Sequence, residues 1–139
     1  MIPVFVDTGA LAAVAHRGDA NHRAARRLLQ TLSRERRPLI TSTYVLDELF
    51  TLLRFRWDHR TAVEFGEKLT RSRWCRVVDI SEATRIAAWQ MFVRYDDQEL
   101  SFTDCTSFAL MHELGLHDAF AFDQHFEAVG FVRLPAATR

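Results

Sequence analysis

Short apolar runs alternate with longer amphipathic segments along the chain, and this alternation limits the fold more than any other feature. Strands are expected at Ile2–Val6, Leu39–Ser42, Trp74–Ile80, Ala119–Phe122 and Phe131–Leu134. Strands separated by helices need crossover connections, which predict an α/β fold with a parallel sheet covered on both faces. The 139 residues are 48% hydrophobic, enough for one such core. We therefore expect a single domain over residues 1–139.

Capping residues and helix breakers mark the predicted helices between the strands. Asp19 is expected to begin a helix that runs to Arg36, where Pro38 stops it, and Gly115 is expected to end another. The remaining helices are expected over Ala10–Ala15, from Thr43, over Asp58–Ser72, after Ser81 and Glu82, and from Ser101 or Thr103 to Leu114. The helix that starts at Thr43 is more apolar than one buried face requires.

The composition argues against membrane and disulfide-stabilised classes. No apolar run approaches the roughly 18 to 20 residues of a membrane helix. Asp7 interrupts the first apolar run where a signal peptide would stay apolar. Cys75 and Cys105 form no paired motif and are expected to be reduced, buried thiols. We expect a cytoplasmic protein without membrane contact.

A net charge of zero conceals an asymmetry between the two halves of the chain. Residues 1–76 carry 14 basic and 8 acidic residues, whereas residues 77–139 carry 4 basic and 10 acidic ones. Every basic residue except Lys68 is arginine, which suits bidentate contact with phosphate. A nucleic-acid-binding face in the first half is one interpretation, and ordinary solvated helix faces are the other.

Two predicted strands end directly before an aspartate. Asp7 follows the run that ends at Val6, and Asp123 follows the run that ends at Phe122. Because functional groups of parallel sheets lie at the carboxyl ends of the strands, both carboxylates are expected at one edge. Each aspartate alone is more typical of a cap or a turn.

Two further acids lie in predicted helices. Asp104 falls in the first turn of its helix, where the helix dipole favours a negative charge and where capping alone would explain it. Glu48 lies among apolar residues of the most apolar helix, where a buried charge needs a partner. Its neighbour Asp47 is the alternative, rotated by roughly 100° around the helix.

Together Asp7, Glu48, Asp104 and Asp123 predict a metal site. Carboxylates that share one pocket repel each other and stay ionised only around a cation. Oxygen ligands select hard ions, Mg²⁺ or Mn²⁺. A water activated by such an ion hydrolyses phosphodiesters. The histidines show no zinc spacing; His125 beside Asp123 is the one candidate ligand, and a packed or solvent-facing histidine is the favoured interpretation. Phosphate-binding glycine loops and nucleophile elbows are absent from the sequence.

Four segments resemble the PIN-domain family in order and spacing, namely Val4–Leu11, Leu46–Leu49, Leu100–Cys105 and Phe122–Phe126. The resemblance covers nearly the whole chain and is greatest to VapC-type toxin ribonucleases of toxin-antitoxin pairs. It implies a three-layer α/β/α fold with a central parallel sheet of four to five strands. It also implies that the four acids bind Mg²⁺, or Mn²⁺, with Thr8 or Thr103 orienting a ligand or water.

The resemblance further implies an endoribonuclease that cuts transfer, ribosomal or other RNA, forms a homodimer and is silenced by a bound antitoxin protein. An arginine-rich rim would guide RNA to the acids and comprises Arg23, Arg26, Arg27 and Arg34. Surplus apolar residues of the third helix would form an antitoxin groove, or would instead be covered by the next helix: Leu49, Phe50, Leu52, Leu53, Phe55 and Trp57.

Two other functions remain open at this point. A metal-dependent phosphatase would use the Asp-Thr-Gly turn after a strand, but it would want a second aspartate where Gly9 stands. A catalytically silent RNA-binding module would keep the fold, although it would have little reason to keep four mutually repelling acids. The remaining acids nearby are read as a turn residue, Asp118, and a solvated loop with Asp96, Asp97 and Glu99.

Overall fold

Five short strands form the central layer of the molecule in the computed structural model, which describes residues 1–136. The strands are β1 (Val4–Val6), β2 (Leu39–Ser42), β3 (Cys75–Val78), β4 (Asp118–Phe120) and β5 (Val132–Leu134). Their order in the sheet is β3-β2-β1-β4-β5, and all neighbouring pairs are parallel. The central strand β1 is completely buried, as expected of a strand covered on both faces.

Seven helices flank this sheet within the described residues. They are α1 (Thr8–Ala15), α2 (His22–Arg34), α3 (Thr43–Arg56), α4 (His59–Arg71), α5 (Glu82–Arg94), α6 (Phe102–Leu114) and α7 (His125–Ala128). Side chains of Ser42, Asp58 and Ser81 cap the amino ends of α3, α4 and α5. The predicted α/β class with a parallel sheet of four to five strands is confirmed.

The aromatic side chains of the core are concentrated between α6 and the segment that runs from α7 to β5. The ring of Phe108 meets that of Phe126 edge to face with centroids 4.9 Å apart, and it also contacts Phe131. Phe108 and Phe126 are both fully buried. Such pairs add to the stabilisation from buried area and fix α6, which carries Asp104, against the chain that follows Asp123.

Several element ends differ from the prediction for local reasons. β1 begins at Val4 because Pro3 has no N–H to donate to a neighbouring strand. α2 ends at Arg34, and Arg36 adopts a left-handed backbone (φ 55°). β4 ends at Phe120, so Asp123 lies three residues beyond the end of the strand and not directly after it. The short helix α7 was not predicted.

Helix α3 buries only part of its apolar surface. Leu49 and Leu53 are completely buried, and α3 packs against α4. Phe50 stays partly exposed and Phe55 is 81% exposed. Covering by α4 therefore accounts for part of the surplus apolar surface, and an exposed remainder is left. Within residues 1–136, the helices all lack the length and apolar character of a membrane span.

We predict that Phe108→Ala lowers the free energy of unfolding by about 3 to 5 kcal/mol, because it leaves a cavity beside Phe126 and Phe131. Urea denaturation followed by circular dichroism measures the change. The matched control Phe55→Ala removes a phenyl ring that is already in solvent and should change stability by no more than about 0.5 kcal/mol. Equal losses in the two variants would contradict the assignment of the core.

Candidate active site

Asp7 lies where β1 ends and α1 begins. Its backbone is extended, its N–H donates to the carbonyl of Phe120 on the neighbouring strand (3.0 Å), and Thr8 is the first residue of α1. The side chain does not cap the helix, and the residue is only 5% exposed. The carboxylate is therefore held at the carboxyl edge of the sheet by backbone pairing and remains available there.

The pKa of Asp7 is raised from 3.8 to about 8, and burial is the largest cause. The negative charges of Asp104, Glu48 and Asp123 contribute to this rise, and the backbone hydrogen bond of Thr8 opposes it. Three acids that are distant from Asp7 in sequence thus lie close enough to influence its side chain. Without a cation, the site favours a protonated Asp7 near neutral pH.

Asp104 is the third residue of α6 and belongs to a capping box. The Ser101 hydroxyl accepts a hydrogen bond from the Asp104 N–H (3.0 Å), and Oδ2 of Asp104 accepts one from the Ser101 N–H (3.1 Å). Asp104 therefore does cap its helix, but capping uses only one of its two carboxylate oxygens. Burial raises the pKa of Asp104, and the charges of Asp123 and Glu48 raise it further.

Glu48 projects from the second turn of α3, which starts where β2 ends. Glu48 is half-buried, so its charge is less buried than the sequence predicted. Its charge raises the pKa of both Asp7 and Asp104, whereas the neighbouring Asp47 is exposed and influences neither. Of the two adjacent acids, Glu48 is the one that faces this cluster.

Asp123 lies in the loop between β4 and α7, and its carboxylate contacts His125. The N–H of His125 donates to Oδ1 of Asp123 (2.9 Å), and the ring nitrogen Nδ1 lies 3.1 Å from Oδ2. The same Nδ1 lies 3.8 Å from Oδ2 of Asp104. Ligand-type atoms of Asp104, Asp123 and His125 all lie within 4.8 Å of one another. His125 is thus part of the cluster, contrary to the interpretation of a merely packed or solvent-facing ring; its spacing from Asp123 was the available signal.

The donor set fits a hard divalent cation. The four acids offer oxygen atoms, and their mutual repulsion raises the pKa of the two most buried ones. The Oγ1 of Thr8 is buried beside Asp7 and has no hydrogen-bond partner among residues 1–136. A buried hydroxyl without a partner is costly unless a ligand or water satisfies it. Of the two threonines that the resemblance offers for an orienting role, Thr8 therefore has a buried hydroxyl available for it.

Other acids near the cluster have separate environments. Asp118 is a strand residue that pairs with Arg37 (2.9 Å), so its interpretation as a turn residue was wrong. Asp96, Asp97 and Glu99 are exposed in the loop between α5 and α6, as expected. The thiol of Cys105 is buried next to Asp104, and burial, together with that carboxylate, raises its pKa to about 11.

The PIN domain model matches residues 4–132, which span every element from β1 to the beginning of β5. The chain belongs to the PIN-domain family. The residues that carry the predicted resemblance, from Val4 to Phe126, all lie within the matched range. Nucleases of this family generally use divalent metal ions, in agreement with the oxygen-rich donor set of this PIN domain.

Known proteins similar to this PIN domain include VapC toxins. It is 41% identical over 132 residues to the 23S rRNA-specific endonuclease VapC20 of Mycobacterium tuberculosis, covering 94% of this chain and 97% of that protein. The crystal structure of VapC20, described as a sarcin-ricin loop cleaving toxin, superposes with a TM-score of 0.84 and covers 93% of this chain and 96% of that one.

A more distant structure shares the fold alone. VapBC2 from Rickettsia felis, bound to a promoter DNA fragment, aligns with a TM-score of 0.72 at 10% identity, covering 95% of this chain and 97% of that chain. The predicted family, the resemblance to VapC-type toxins and the enzyme class, a nuclease of this PIN-domain type, are confirmed by these comparisons.

We predict that the metal-free PIN domain loses stability as the pH rises from about 4 to about 8. Asp7 ionises near its ordinary pKa of 3.8 in the unfolded chain but only near 8 in the folded one. The stability contributed by its protonated form is complete below 3.8 and is lost as the pH rises through 8. Asp7→Asn stays neutral and should be increasingly more stable than the wild type over this range.

Urea denaturation with chelator at several pH values measures this difference. Asp47→Asn, an exposed acid one residue from Glu48, is the control and should follow the wild-type pH dependence. Parallel stability curves for Asp7→Asn and the wild type would mean that Asp7 titrates normally in the folded protein.

Proposed function

We propose that this protein is a Mg²⁺-dependent endoribonuclease, with Mn²⁺ as an alternative ion, and that it is the toxin of a toxin-antitoxin pair. One observation carries the proposal: Glu48, Asp104 and Asp123 come from three separate parts of the fold, yet the charge of each acts on the buried carboxyl group of Asp7. The 41% identity to a ribosomal RNA endonuclease over nearly the whole chain supports the same function.

In this proposal the four acids are the metal ligands and the catalytic residues. When bound, a divalent cation activates water for attack and offsets phosphate charge. Asp7 and Asp104 supply oxygens fixed by the backbone of β1 and by the capping box of α6. Glu48 and Asp123 supply the more exposed carboxylates, on the side where RNA arrives. The hydroxyl of Thr8 orients a ligand oxygen or a water.

We further propose that the substrate is ribosomal RNA, as it is for VapC20. Helix α2 offers a route for RNA to the acids because Arg23, Arg26, Arg27 and Arg34 are all exposed. Within residues 1–136, no ion pair involves any of these four arginines. Arg27 also lines a cavity of about 450 Å³ together with Phe122, which precedes Asp123. The basic helix α2 therefore lies beside the segment that leads to Asp123.

We also propose an antitoxin protein as the partner, and a homodimer in the cytoplasm as the active form of this single domain. VapBC complexes are among the structures with this fold. A surface for the antitoxin lies between α3 and α4, where Phe50, Val63 and Gly66 line an open cavity of about 320 Å³. A Cβ added at Gly66 would lie 3.2 Å from the Phe50 ring, so the ring would have to shift slightly to admit it.

We expect Asp7→Asn and Asp104→Asn each to reduce RNA cleavage by at least about 100-fold, because loss of a ligand costs more than loss of an outer partner. The assay uses purified protein, 23S ribosomal RNA and Mg²⁺, with and without chelator. Asn at position 104 can still accept the hydrogen bond from the Ser101 N–H, so the helix cap survives the change. Asp47→Asn is the control and should retain activity.

Three outcomes of this assay separate the functions considered. Chelator-sensitive cleavage that both variants lose supports the nuclease. Cleavage that survives in both variants comes from a contaminant or from another site and contradicts the assignment of the acids. Binding of RNA without cleavage by the wild type would select the silent module, and release of phosphate from a small phosphomonoester would select the phosphatase.

We expect Arg23→Glu, Arg26→Glu and Arg27→Glu, combined in one protein, to weaken RNA binding and flatten its salt dependence. Each phosphate contact that is lost should lower the slope of log K against log salt concentration by about 1. The slope is measured by fluorescence anisotropy of RNA binding at several salt concentrations. All proteins compared carry Asp104→Asn, so that the RNA is not cleaved. Arg85→Glu is the control, because Arg85 is an exposed residue of α5 in the acidic second half of the chain. An unchanged slope in the triple variant would remove α2 from the RNA path.

A further inference from the structure

His125 gives two hydrogen-bond contacts to a single carboxylate. Its backbone N–H donates to Oδ1 of Asp123, and its ring nitrogen Nδ1 lies 2.9 Å from Oδ1 and 3.1 Å from Oδ2. An ionised carboxylate only accepts hydrogen bonds, so Nδ1 must carry the hydrogen in this contact. The ring therefore acts as a donor clamped against both oxygens of Asp123.

Asp123 needs such a partner more than Asp7 and Asp104, the two buried acids of the cluster. Asp7 is fixed by strand pairing, and Asp104 is fixed by its capping box. Asp123 instead lies in a loop after β4, and its side chain is 38% exposed against 11% for Asp104. A loosely held carboxylate loses rotamer freedom when it binds a ligand, and a prior hydrogen bond reduces that loss.

The same geometry argues against Nδ1 of His125 as a direct ligand. Nδ1 also lies 3.8 Å from Oδ2 of Asp104, within a group of atoms able to hold a metal. With hydrogen on Nδ1, that nitrogen has no lone pair to give to a cation, so ligation through Nδ1 would require the ring to leave Asp123. The observed contact is the one expected of a residue that orients a carboxylate.

We propose that His125 is a positioning residue, whose Nδ1–H holds the Asp123 carboxylate facing the other three acids and thereby strengthens divalent metal binding. This inference rests on the proposed metal-dependent function. It concerns the affinity of the site for the ion and predicts an effect that is measurable without RNA. The backbone donation to Oδ1 remains in every variant, so the ring contact alone is tested.

The test is isothermal titration of Mg²⁺ into the purified, metal-free protein, with Mn²⁺ as a second probe. His125→Ala and His125→Phe lack the donor, and each should weaken binding about 10- to 100-fold. His125→Asn places an amide N–H near the position of Nδ1 and should restore affinity to within a few-fold of the wild type. His117→Ala, an exposed histidine before β4, is the control and should bind normally.

The metal-free stability of each variant is measured in urea, because a merely structural role would lower stability and leave the affinity of the folded fraction unchanged. Wild-type affinity in either donor-less variant overturns the proposal. Hyperfine coupling to ¹⁴N in the spectrum of the Mn²⁺-bound wild type would make His125 a ligand and also overturn it. If Asp104→Asn binds Mg²⁺ as tightly as the wild type, the proposed function itself fails, which is a separate outcome.

Discussion

Repulsion among carboxylates at one edge of the sheet is the constraint to which the rest of the structure responds. At an effective dielectric constant of about 20, two such charges 4 Å apart repel by roughly 4 kcal/mol. The fold offsets part of this with helix dipoles, because Asp7 precedes the first residue of α1 and Asp104 lies in the first turn of α6. The pKa of Asp7 is raised by burial and then by the charges of Asp104, Glu48 and Asp123, so the offset is incomplete. A cation would supply the remainder, so folding and metal binding should be coupled.

The rigidity of the site follows from where its members are attached. Strand β1 is buried on every side, and the edge-to-face contact of Phe108 with Phe126 ties α6 to the segment that follows Asp123. Two acids are thus placed by the core itself. The other two lie on a half-exposed helix face and a loop, where approach of a large substrate is possible. In the proposed function, this arrangement would separate the holding of the ion from access to the phosphodiester.

The sequence predicted the elements of this fold well, because periodicity and caps are local signals. It also predicted that four acids would lie near one another, since the carboxyl ends of parallel strands lie at one edge of the sheet. The sheet order, the early end of β4 at Phe120 and the helix α7 were not predictable, because they depend on long-range pairing. The same holds for the Arg37–Asp118 ion pair, whose members are 81 residues apart, and for the contact of His125 with Asp104. The partial exposure of Glu48 was not predictable either, because it depends on how α3 packs against neighbouring elements.

The buried Cys105 gives the site a chemical property beyond its oxygen ligands. A thiol with a pKa near 11 is almost entirely protonated in a cell, so it presents no thiolate to soft ions such as Zn²⁺. Peroxides react with the thiolate and not with the thiol, and they would find little to oxidise beside Asp104. The Cys105 thiol should therefore react slowly with peroxide, which leaves the side chain beside Asp104 unchanged.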